Sequence, residues 1–131
     1  MSSRTCGAAA VLLLMVLVSA ACTTANDDAV VRAITGGRPE RGRHSLEQYG
    51  CGSCHEISGV ARAWGRVGPP LDGLAVRGYL AGRLTNEPKN LIRWIRHPRE
   101  VDPATAMPEL GVSERDARDM AAYLYSSASR R

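Results

Sequence analysis

The stretch Cys51-Gly52-Ser53-Cys54-His55 decides how the rest of the sequence is interpreted. Its two cysteines stand three positions apart, and a histidine follows the second one directly. In a tight turn, two thiols at this spacing can add across the vinyl groups on one edge of a porphyrin, and the adjacent imidazole can then reach the iron from one face. The pattern C-x-x-C-H therefore predicts one covalently attached haem c, with His55 as the first axial ligand of its iron.

Three other interpretations of this motif are open. A thioredoxin-like redox site needs a βαβ setting, and no run of alternating or β-branched residues surrounds the motif. A structural zinc site needs four ligands, and beyond the motif the chain offers only His44 and His97, with no second C-x-x-C. A plain disulfide between Cys51 and Cys54 leaves His55 without a role.

The second face of the iron needs a ligand from a distant part of the chain. Two methionines follow the motif, and Met120 lies on the apolar stripe of a predicted C-terminal helix, which assigns it to the core. Met107 precedes Pro108 in a proline-bracketed segment that cannot be helical, so a loop can present its side chain inward. Met107 is the predicted sixth ligand. His44 and His97 are the other candidates, and both are expected to be exposed.

A proline pair follows the motif in Gly68-Pro69-Pro70-Leu71. The prolines fix an extended backbone whose carbonyl groups are not consumed by a helix. Because the proximal imidazole of a haem protein usually donates its other N–H to such an acceptor, one of these carbonyls can orient His55. The alternative is a simple turn that buries Leu71.

The first 22 residues have the features of a bacterial export signal. Arg4 precedes an apolar run over residues 8–21 that is too short to span a membrane. Small residues lead directly into Cys22, and this junction resembles the lipobox of bacterial lipoproteins, in which the cysteine is acylated. Ser19 departs from that pattern, and an ordinary signal peptidase could cut the same bond. We expect residues 1–21 to be removed, Cys22 to be lipidated, and the protein to lie at the periplasmic side of a bacterial membrane.

The composition is that of one globular domain. The chain has 131 residues, 44% of them hydrophobic and 23% charged, and it contains no Phe. Its net charge of +4 comes from dispersed arginines without a basic block, so nothing indicates nucleic acid. Small and polar residues, together with Gly36-Gly37 and Pro39, predict a flexible tether over 22–41, which leaves 42–128 as the folded domain. A core without Phe lacks bulky filler, and a large prosthetic group would complete it.

The ordered motifs of the domain resemble those of bacterial class I cytochromes c. The shared features are the C-x-x-C-H motif, Gly68-Pro69 with Leu71, the helix Leu91-Ile92-Arg93-Trp94-Ile95 that closes at Pro98, Met107-Pro108, and Ala122-Tyr123-Leu124 in a terminal helix. Residues 79–95 are similar, more narrowly, to the cytochrome c domain fused to subunit II of some haem-copper oxidases. The copper-binding domain and transmembrane hairpin of such subunits have no counterpart in the sequence, so the likeness implies a free-standing electron donor.

The resemblance implies roles for individual residues. Pro69 would supply the carbonyl oxygen that accepts a hydrogen bond from His55, and Met107 would be the distal ligand. Trp94 falls where the family has an aromatic residue near the haem. The apolar wall around the haem is expected to consist of Leu71, Leu74, Leu91, Trp94, Ile95 and Leu124.

The implied fold is all-α, the class I cytochrome c fold wrapped around one covalently bound haem c. Helices are expected near residues 42–49, 87–97 and 113–127, with a short helical segment around 71–81 and no sheet. Asn86 or Thr85 is expected to cap the helix at 87–97, with Pro88 in its first turn and Pro98 as its stop. Ser113, with Asp116 three residues later, is expected to be the N-cap of the terminal helix.

The implied function is single-electron transfer without catalysis and without a small-molecule substrate. The expected partners are redox proteins, namely a terminal oxidase and an upstream quinol-oxidising complex, with Arg62, Arg66 and Arg99 as candidate docking residues. Two other functions stay open at this point. One is a haem c subunit of a periplasmic dehydrogenase or nitrogen-oxide reductase. The other is a ligand-binding or peroxidatic haem protein, which needs an open iron position.

Overall fold

The fold is mainly helical, as the sequence predicts. A computed structural model describes residues 27–126, and the expected signal segment, Cys22 and residues 127–131 lie outside this range. The helices are α1 over residues 27–35, α2 Pro39–Gln48, α3 Pro88–Arg96, α4 Pro98–Val101 and α5 Glu114–Tyr125. Single 3₁₀ turns are present at Cys51–Ser53 and Leu74–Val76. Between residues 27 and 126, no helix is long and apolar enough to cross a membrane.

The crossing of α2 over α5 forms the centre of the domain. Gly42 is buried where the two helices meet. A Cβ at this position would collide with the carbonyl oxygen of Asp119 and would stand 2.9 Å from the Cβ of Tyr123. The helix backbones can approach this closely only because residue 42 has no side chain.

Asp119 ties the beginning of α2 to α5. Its side chain is buried, and one carboxylate oxygen accepts a hydrogen bond of 2.6 Å from the backbone N–H of Arg38, directly before α2. The other oxygen lies 2.9 Å from Nε of Arg41, in an ion pair that is open to solvent on the arginine side. A buried carboxylate with these partners holds the entry of α2 in one position.

The core packs between α2, α3 and α5. Met120 is fully buried, which confirms that it is a core residue. Four residues of the expected apolar wall are buried, and Leu71 packs against them half-buried. The buried four are Leu74, Leu91, Ile95 and Leu124.

The N-terminal part of the domain differs from the expected tether. Residues 27–35 form α1, whose Val31 and Thr35 are buried, and α2 begins at Pro39 instead of residue 42. The glycines that suggested flexibility instead permit close packing, because a Cβ on Gly37 would collide with the backbone of Arg118 in α5. The structured part of the chain therefore includes at least residues 27–41 of the expected tether.

The middle of the chain differs from the helix expected at 71–81. A 3₁₀ turn covers Leu74–Val76, and a short antiparallel hairpin follows, with β1 Tyr79–Leu80 paired to β2 Leu84–Thr85. Ala81 and Gly82 turn the chain with φ angles of 50° and 67°. Two consecutive left-handed residues cannot continue a helix. The paired strands also show that the expectation of no sheet is wrong in this detail.

The expected cap of α3 is also corrected. Glu87 is the N-cap residue and makes no capping hydrogen bond, although Pro88 stands in the first turn as predicted. Asn86 instead donates to the carbonyl oxygens of Leu74 and Arg77 at 2.7 and 2.8 Å. Its Oδ1 also accepts a hydrogen bond of 2.6 Å from the hydroxyl of Tyr125 in α5. The side chain of Asn86 thus makes three hydrogen bonds, which close the loop before the hairpin.

Single residues set the end of α3 and the beginnings of α4 and α5. Pro98 does end α3, and it also begins the short helix α4, which the sequence did not indicate. Ser113 caps α5, since its Oγ accepts a hydrogen bond of 3.1 Å from the backbone N–H of Asp116, as expected. Both results follow from proline and serine acting at the first positions of helices.

The helix crossing predicts a large effect of Gly42→Ala. Alanine favours an isolated helix over glycine by about 1 kcal/mol. Overpacking against the backbone of α5 costs about 1–3 kcal/mol or more and outweighs that gain. We expect the free energy of unfolding of the haem-loaded protein to fall, as measured by denaturant titration. Arg43→Ala, one position away and exposed on the same helix, should leave it within about 0.5 kcal/mol, and a stabilised Gly42→Ala protein would contradict the close crossing.

Candidate functional site

The C-x-x-C-H motif forms a compact turn directly after α2. Gly50 reverses the chain with φ of 70°, and the 3₁₀ turn Cys51–Ser53 follows. The backbone N–H groups of Cys54 and His55 donate to the carbonyl oxygen of Cys51 at 3.3 and 3.0 Å. Local hydrogen bonds thus hold both cysteines and the histidine in one turn.

Both cysteines of the motif are half-buried free thiols. Burial raises the pKa of the Cys51 thiol to about 11, and the neighbouring Cys54 contributes in the same direction. Cys51 is therefore protonated at neutral pH. The two sulfurs are not joined in a disulfide, so both are available for thioether bonds.

The His55 ring is oriented by one hydrogen bond. Its Nδ1 lies 2.7 Å from the carbonyl oxygen of Pro69, the residue that the family resemblance implied. Because a carbonyl oxygen can only accept, Nδ1 must carry the proton. In the neutral imidazole, Nε2 then keeps a free lone pair, which is the form in which histidine binds a metal.

Backbone hydrogen bonds hold a loop against the motif. It spans residues 63–71, and an isolated bridge pairs Trp64 with Glu56. The backbone N–H groups of Gly65, Gly68 and Leu71 donate to the carbonyl oxygens of Gly52, Cys54 and Glu56, at 3.0, 2.8 and 2.9 Å respectively. This ladder of hydrogen bonds places the carbonyl oxygen of Pro69 beside the imidazole of His55.

Gly68 permits the close approach of the loop to the imidazole. A Cβ on Gly68 would stand 2.7 Å from Nδ1 and 3.0 Å from Nε2 of His55. On either side of the ladder, a Cβ on Gly52 or Gly65 would also collide with the opposite backbone. No packing role was predicted for these three glycines from the sequence, although their positions within and just after the motif indicate close backbone contact.

A second set of hydrogen bonds ties this region to α5. The carboxylate of Asp72 accepts from the backbone N–H and the hydroxyl of Ser58 at 2.8 and 2.6 Å. The hydroxyl of Tyr123, a buried residue of α5, donates to the carbonyl oxygen of Ser58 at 2.6 Å. The site is therefore attached to the helix crossing at a point beyond the motif.

The other predicted residues lie on α2, on or directly after α3, and in the loop between α4 and α5. Met107 lies half-buried in the loop between α4 and α5, where its N–H donates to Oγ1 of Thr105 at 3.2 Å, and Trp94 is half-buried on α3. His44 is exposed on α2, and Nδ1 of His97 lies 3.8 Å from a carboxylate oxygen of Glu100. Met107 thus has the loop setting that the sequence predicted, and both histidines stand on the surface.

Large apolar side chains are exposed close to the motif. Trp64 is 72% and Val67 80% exposed in the loop that pairs with the motif. Neither residue was predicted from the sequence to belong to the site. Exposed apolar groups of this size indicate a surface that another apolar body covers.

The donor chemistry fits haem c. The turn offers two free thiols and an imidazole with a bare Nε2, Cys51 packs against the apolar core, and the neighbouring loop exposes Trp64 and Val67. Over residues 27–126, no three His, Cys, Asp or Glu side chains gather as ligands for a metal ion, so a zinc site of the usual composition does not fit. A flat apolar group with two vinyl groups and one iron matches this set of donors.

The contact of Gly68 with the imidazole predicts that Gly68→Ala disturbs His55. The added methyl group must push the ring away from Pro69, which weakens the hydrogen bond to the carbonyl oxygen. We expect the free energy of unfolding of the haem-loaded protein to fall by about 1–3 kcal/mol and the NMR signal of the ring N–H to shift. Gly78→Ala is the matched control, because nothing lies within 4 Å of a Cβ there. Equal behaviour of the two variants would contradict this assignment.

Comparison with known proteins agrees with this site. The family model described as Cytochrome c matches residues 39–128. A curated relative, "Cytochrome c oxidase subunit 2" of Alkalihalophilus pseudofirmus, is 34% identical over 99 residues, which cover 75% of this chain and 28% of that protein. The chain therefore spans less than a third of that relative's length, and no solved structure matches it. Because the family match includes α2 to α5 and the whole attachment turn, the chain belongs to the cytochrome c family and has the class I cytochrome c fold.

Proposed function

We propose that this cytochrome c carries single electrons to a respiratory haem-copper terminal oxidase. The observation that carries the proposal is the 34% identity, over 75% of the chain, with a protein named cytochrome c oxidase subunit 2. As a cytochrome c, the chain is an electron carrier, and its covalently bound haem c supplies an iron centre that takes up and releases one electron. An upstream quinol-oxidising complex is the proposed source of the electrons.

Five residues of the chain are assigned to holding the haem. Cys51 and Cys54 would form the two thioether bonds, and Nε2 of His55 would bind the iron while Pro69 keeps Nδ1 protonated. Met107 would supply the sixth ligand from its loop. With His55 and Met107 both bound, the iron would have no position left for a substrate, which suits an electron carrier. A thioether ligand and an apolar shell also favour the less charged ferrous state and so raise the reduction potential.

Exposed residues beside the attachment turn suit a docking surface for redox partners. Trp64 and Val67 are exposed in the loop, and the side chain of Arg62 is 81% exposed. Arg66 is exposed in the same loop, and Arg99 is exposed on α4. Apolar side chains next to Arg62 and Arg66 form an arrangement through which a partner with surface carboxylates would be steered and then bound.

The ligand assignment predicts different results for the two methionines. Met107→Ala should keep the covalent haem but lose the low-spin spectrum of the oxidised protein, because no thioether then binds the iron. Met120→Leu should leave the spectrum unchanged, since the Met120 side chain is fully buried in the core. Absorption spectroscopy of both purified variants is the measurement. An unaltered spectrum for Met107→Ala, or a high-spin iron in Met120→Leu, would overturn the assignment.

The oxidase assignment predicts rapid oxidation of the reduced protein by membranes that contain a haem-copper oxidase. The rate should depend on oxygen and be blocked by cyanide, and it can be followed by the loss of the ferrous absorption bands. Higher ionic strength should slow the reaction, because docking through exposed arginines is screened by salt. Protein that stays reduced with these membranes, yet is oxidised by a nitrogen-oxide reductase fraction, would refute the oxidase assignment.

Membrane attachment is the remaining part of the proposal. A lipid on Cys22 would hold the exported protein at the periplasmic side of a bacterial membrane, and the multiple acyl chains of a lipoprotein cysteine give stable anchoring. Cys22 stands five positions before residue 27, where α1 is first described. An extended chain of this length reaches about 17 Å, so the domain would stay close to the bilayer.

The lipid anchor predicts that the native protein sediments with membranes and that Cys22→Ser does not. Cys22→Ser, if exported and processed, should appear in the soluble periplasmic fraction with unchanged haem absorption, because residue 22 is remote in sequence from the attachment turn. Membrane fractionation, with mass spectrometry of the mature N-terminus, is the measurement. An unmodified Cys22 would disprove lipidation and leave the electron-transfer assignment intact.

A further inference from the structure

An apolar stripe is exposed on α1. Val30 and Ile34 stand one helical turn apart and are 59% and 52% exposed. Ile34 lies between two shallow concavities, one towards the start of α3 and one along the side of α3. Its neighbours on α1, Val31 and Thr35, are buried against the domain, so the stripe is the outward face of a packed helix.

Basic residues border this stripe on one side. Lys89, Arg93 and Arg96 follow one another on α3 at spacings of four and three residues, which places them on one face of the helix. They line the concavity beside Ile34 together with Arg118 of α5. We call the surface formed by Val30, Ile34, Ile92, Lys89, Arg93, Arg96 and Arg118 the basic-apolar face.

The basic residues of this face are only partly neutralised. Glu114 is the one carboxylate that lines the same concavity, and it pairs with Arg118 at 2.6 Å and with Arg96 at 3.6 Å. Lys89 pairs with Glu87 at 3.0 Å. Arg93 is exposed, so the four cations face two anions and the face keeps a positive charge. Asp27 lines the other concavity, which confines the attraction for anions to the side along α3.

The position of the face in the chain indicates what covers it. Its apolar stripe belongs to the helix that begins within five residues of Cys22, and five residues span at most about 17 Å. A lipid on Cys22 would therefore bring α1 to the bilayer surface. Residues 51–71, which include the attachment turn and its paired loop, contribute no side chain to either concavity of the described domain.

We propose that the basic-apolar face docks onto the anionic phospholipid surface of the membrane in which the protein is anchored. Lys89, Arg93 and their basic neighbours would lie against lipid phosphates, while Val30 and Ile34 enter the headgroup region, as in interfacial amphipathic helices. The proposal rests on the tether at Cys22. Because residues 51–71 line neither concavity, docking through this face would leave the attachment turn outside the membrane contact, and the membrane would fix the orientation of the electron carrier as well as its concentration.

Vesicle binding tests the face without its lipid. The probe protein is full mature Cys22→Ser holoprotein, and the vesicles contain phosphatidylglycerol mixed with phosphatidylcholine or phosphatidylcholine alone. We expect binding to the anionic vesicles only, weakening as salt is added. Lys89→Gln with Arg93→Gln should lower the partition coefficient about 25-fold, because each basic residue at an anionic surface contributes about fivefold. Arg43→Gln with Arg83→Gln, two exposed arginines outside the face of which Arg83 is ion-paired as Lys89 is, is the charge-matched control.

A second arm locates the contact. A spin label on Ile34→Cys should become accessible to oxygen and protected from a water-soluble relaxation agent on anionic vesicles, and a label on Arg43→Cys should not. Unchanged haem absorption in each variant verifies that it is folded.

The proposal would be overturned if the face variant and the control variant weakened vesicle binding equally. It would also be overturned if the protein did not bind anionic vesicles, or if this face bound a purified oxidase instead. The probe protein carries no lipid, so vesicle binding tests the basic-apolar face independently of acylation. An unmodified Cys22 in the native protein would refute the tether, and the vesicle measurement would still show whether the face binds anionic lipid.

Discussion

The hydrogen bond between Nδ1 of His55 and the carbonyl oxygen of Pro69, 2.7 Å long, is the contact on which the site depends. It assigns the ring proton to Nδ1 and so makes Nε2 the nitrogen that can bind iron. The bond forms only because Gly68 lets the loop lie against the imidazole, and because backbone hydrogen bonds hold that loop to the attachment turn. A motif that is local in sequence thus needs a segment more than ten residues away to become a ligand site.

The helix crossing supports this arrangement from the opposite side. Gly42 brings α2 and α5 together, and α2 delivers the attachment turn at its C-terminal end. From α5, Tyr123 reaches the chain directly after the motif through its bond to Ser58, and Asp119 holds the entry of α2. The two helices therefore fix both ends of the segment that contains His55, so the orientation of the ring and the stability of the crossing are coupled.

Local chemistry could be predicted from the sequence where a residue type carries it. The spacing of Cys51, Cys54 and His55, the cap at Ser113 and the burial of Met120 all depend on contacts within a few residues along the chain or on helical periodicity. The start of α2 could not be predicted in this way, because Pro39 becomes a helix start only when Asp119, far along the chain, binds the N–H before it. The prediction that Gly36-Gly37 belongs to a flexible tether was wrong for the same reason. A glycine that permits close backbone contact, as Gly37 does against Arg118, cannot be told from a linker glycine until its packing partner is known.

The helix α1 changes what a membrane tether can do. A flexible segment over residues 22–41 would span about 25 Å root-mean-square and let the domain rotate freely, so tethering would raise local concentration alone. Because α1 packs on the domain through Val31 and Thr35, at most four residues would separate a lipidated Cys22 from the packed helix. A short connection joined to a rigid helix restricts rotation as well as distance. Electron transfer requires a particular edge of the carrier to meet its partner, and a restricted orientation then increases the share of encounters in which it does.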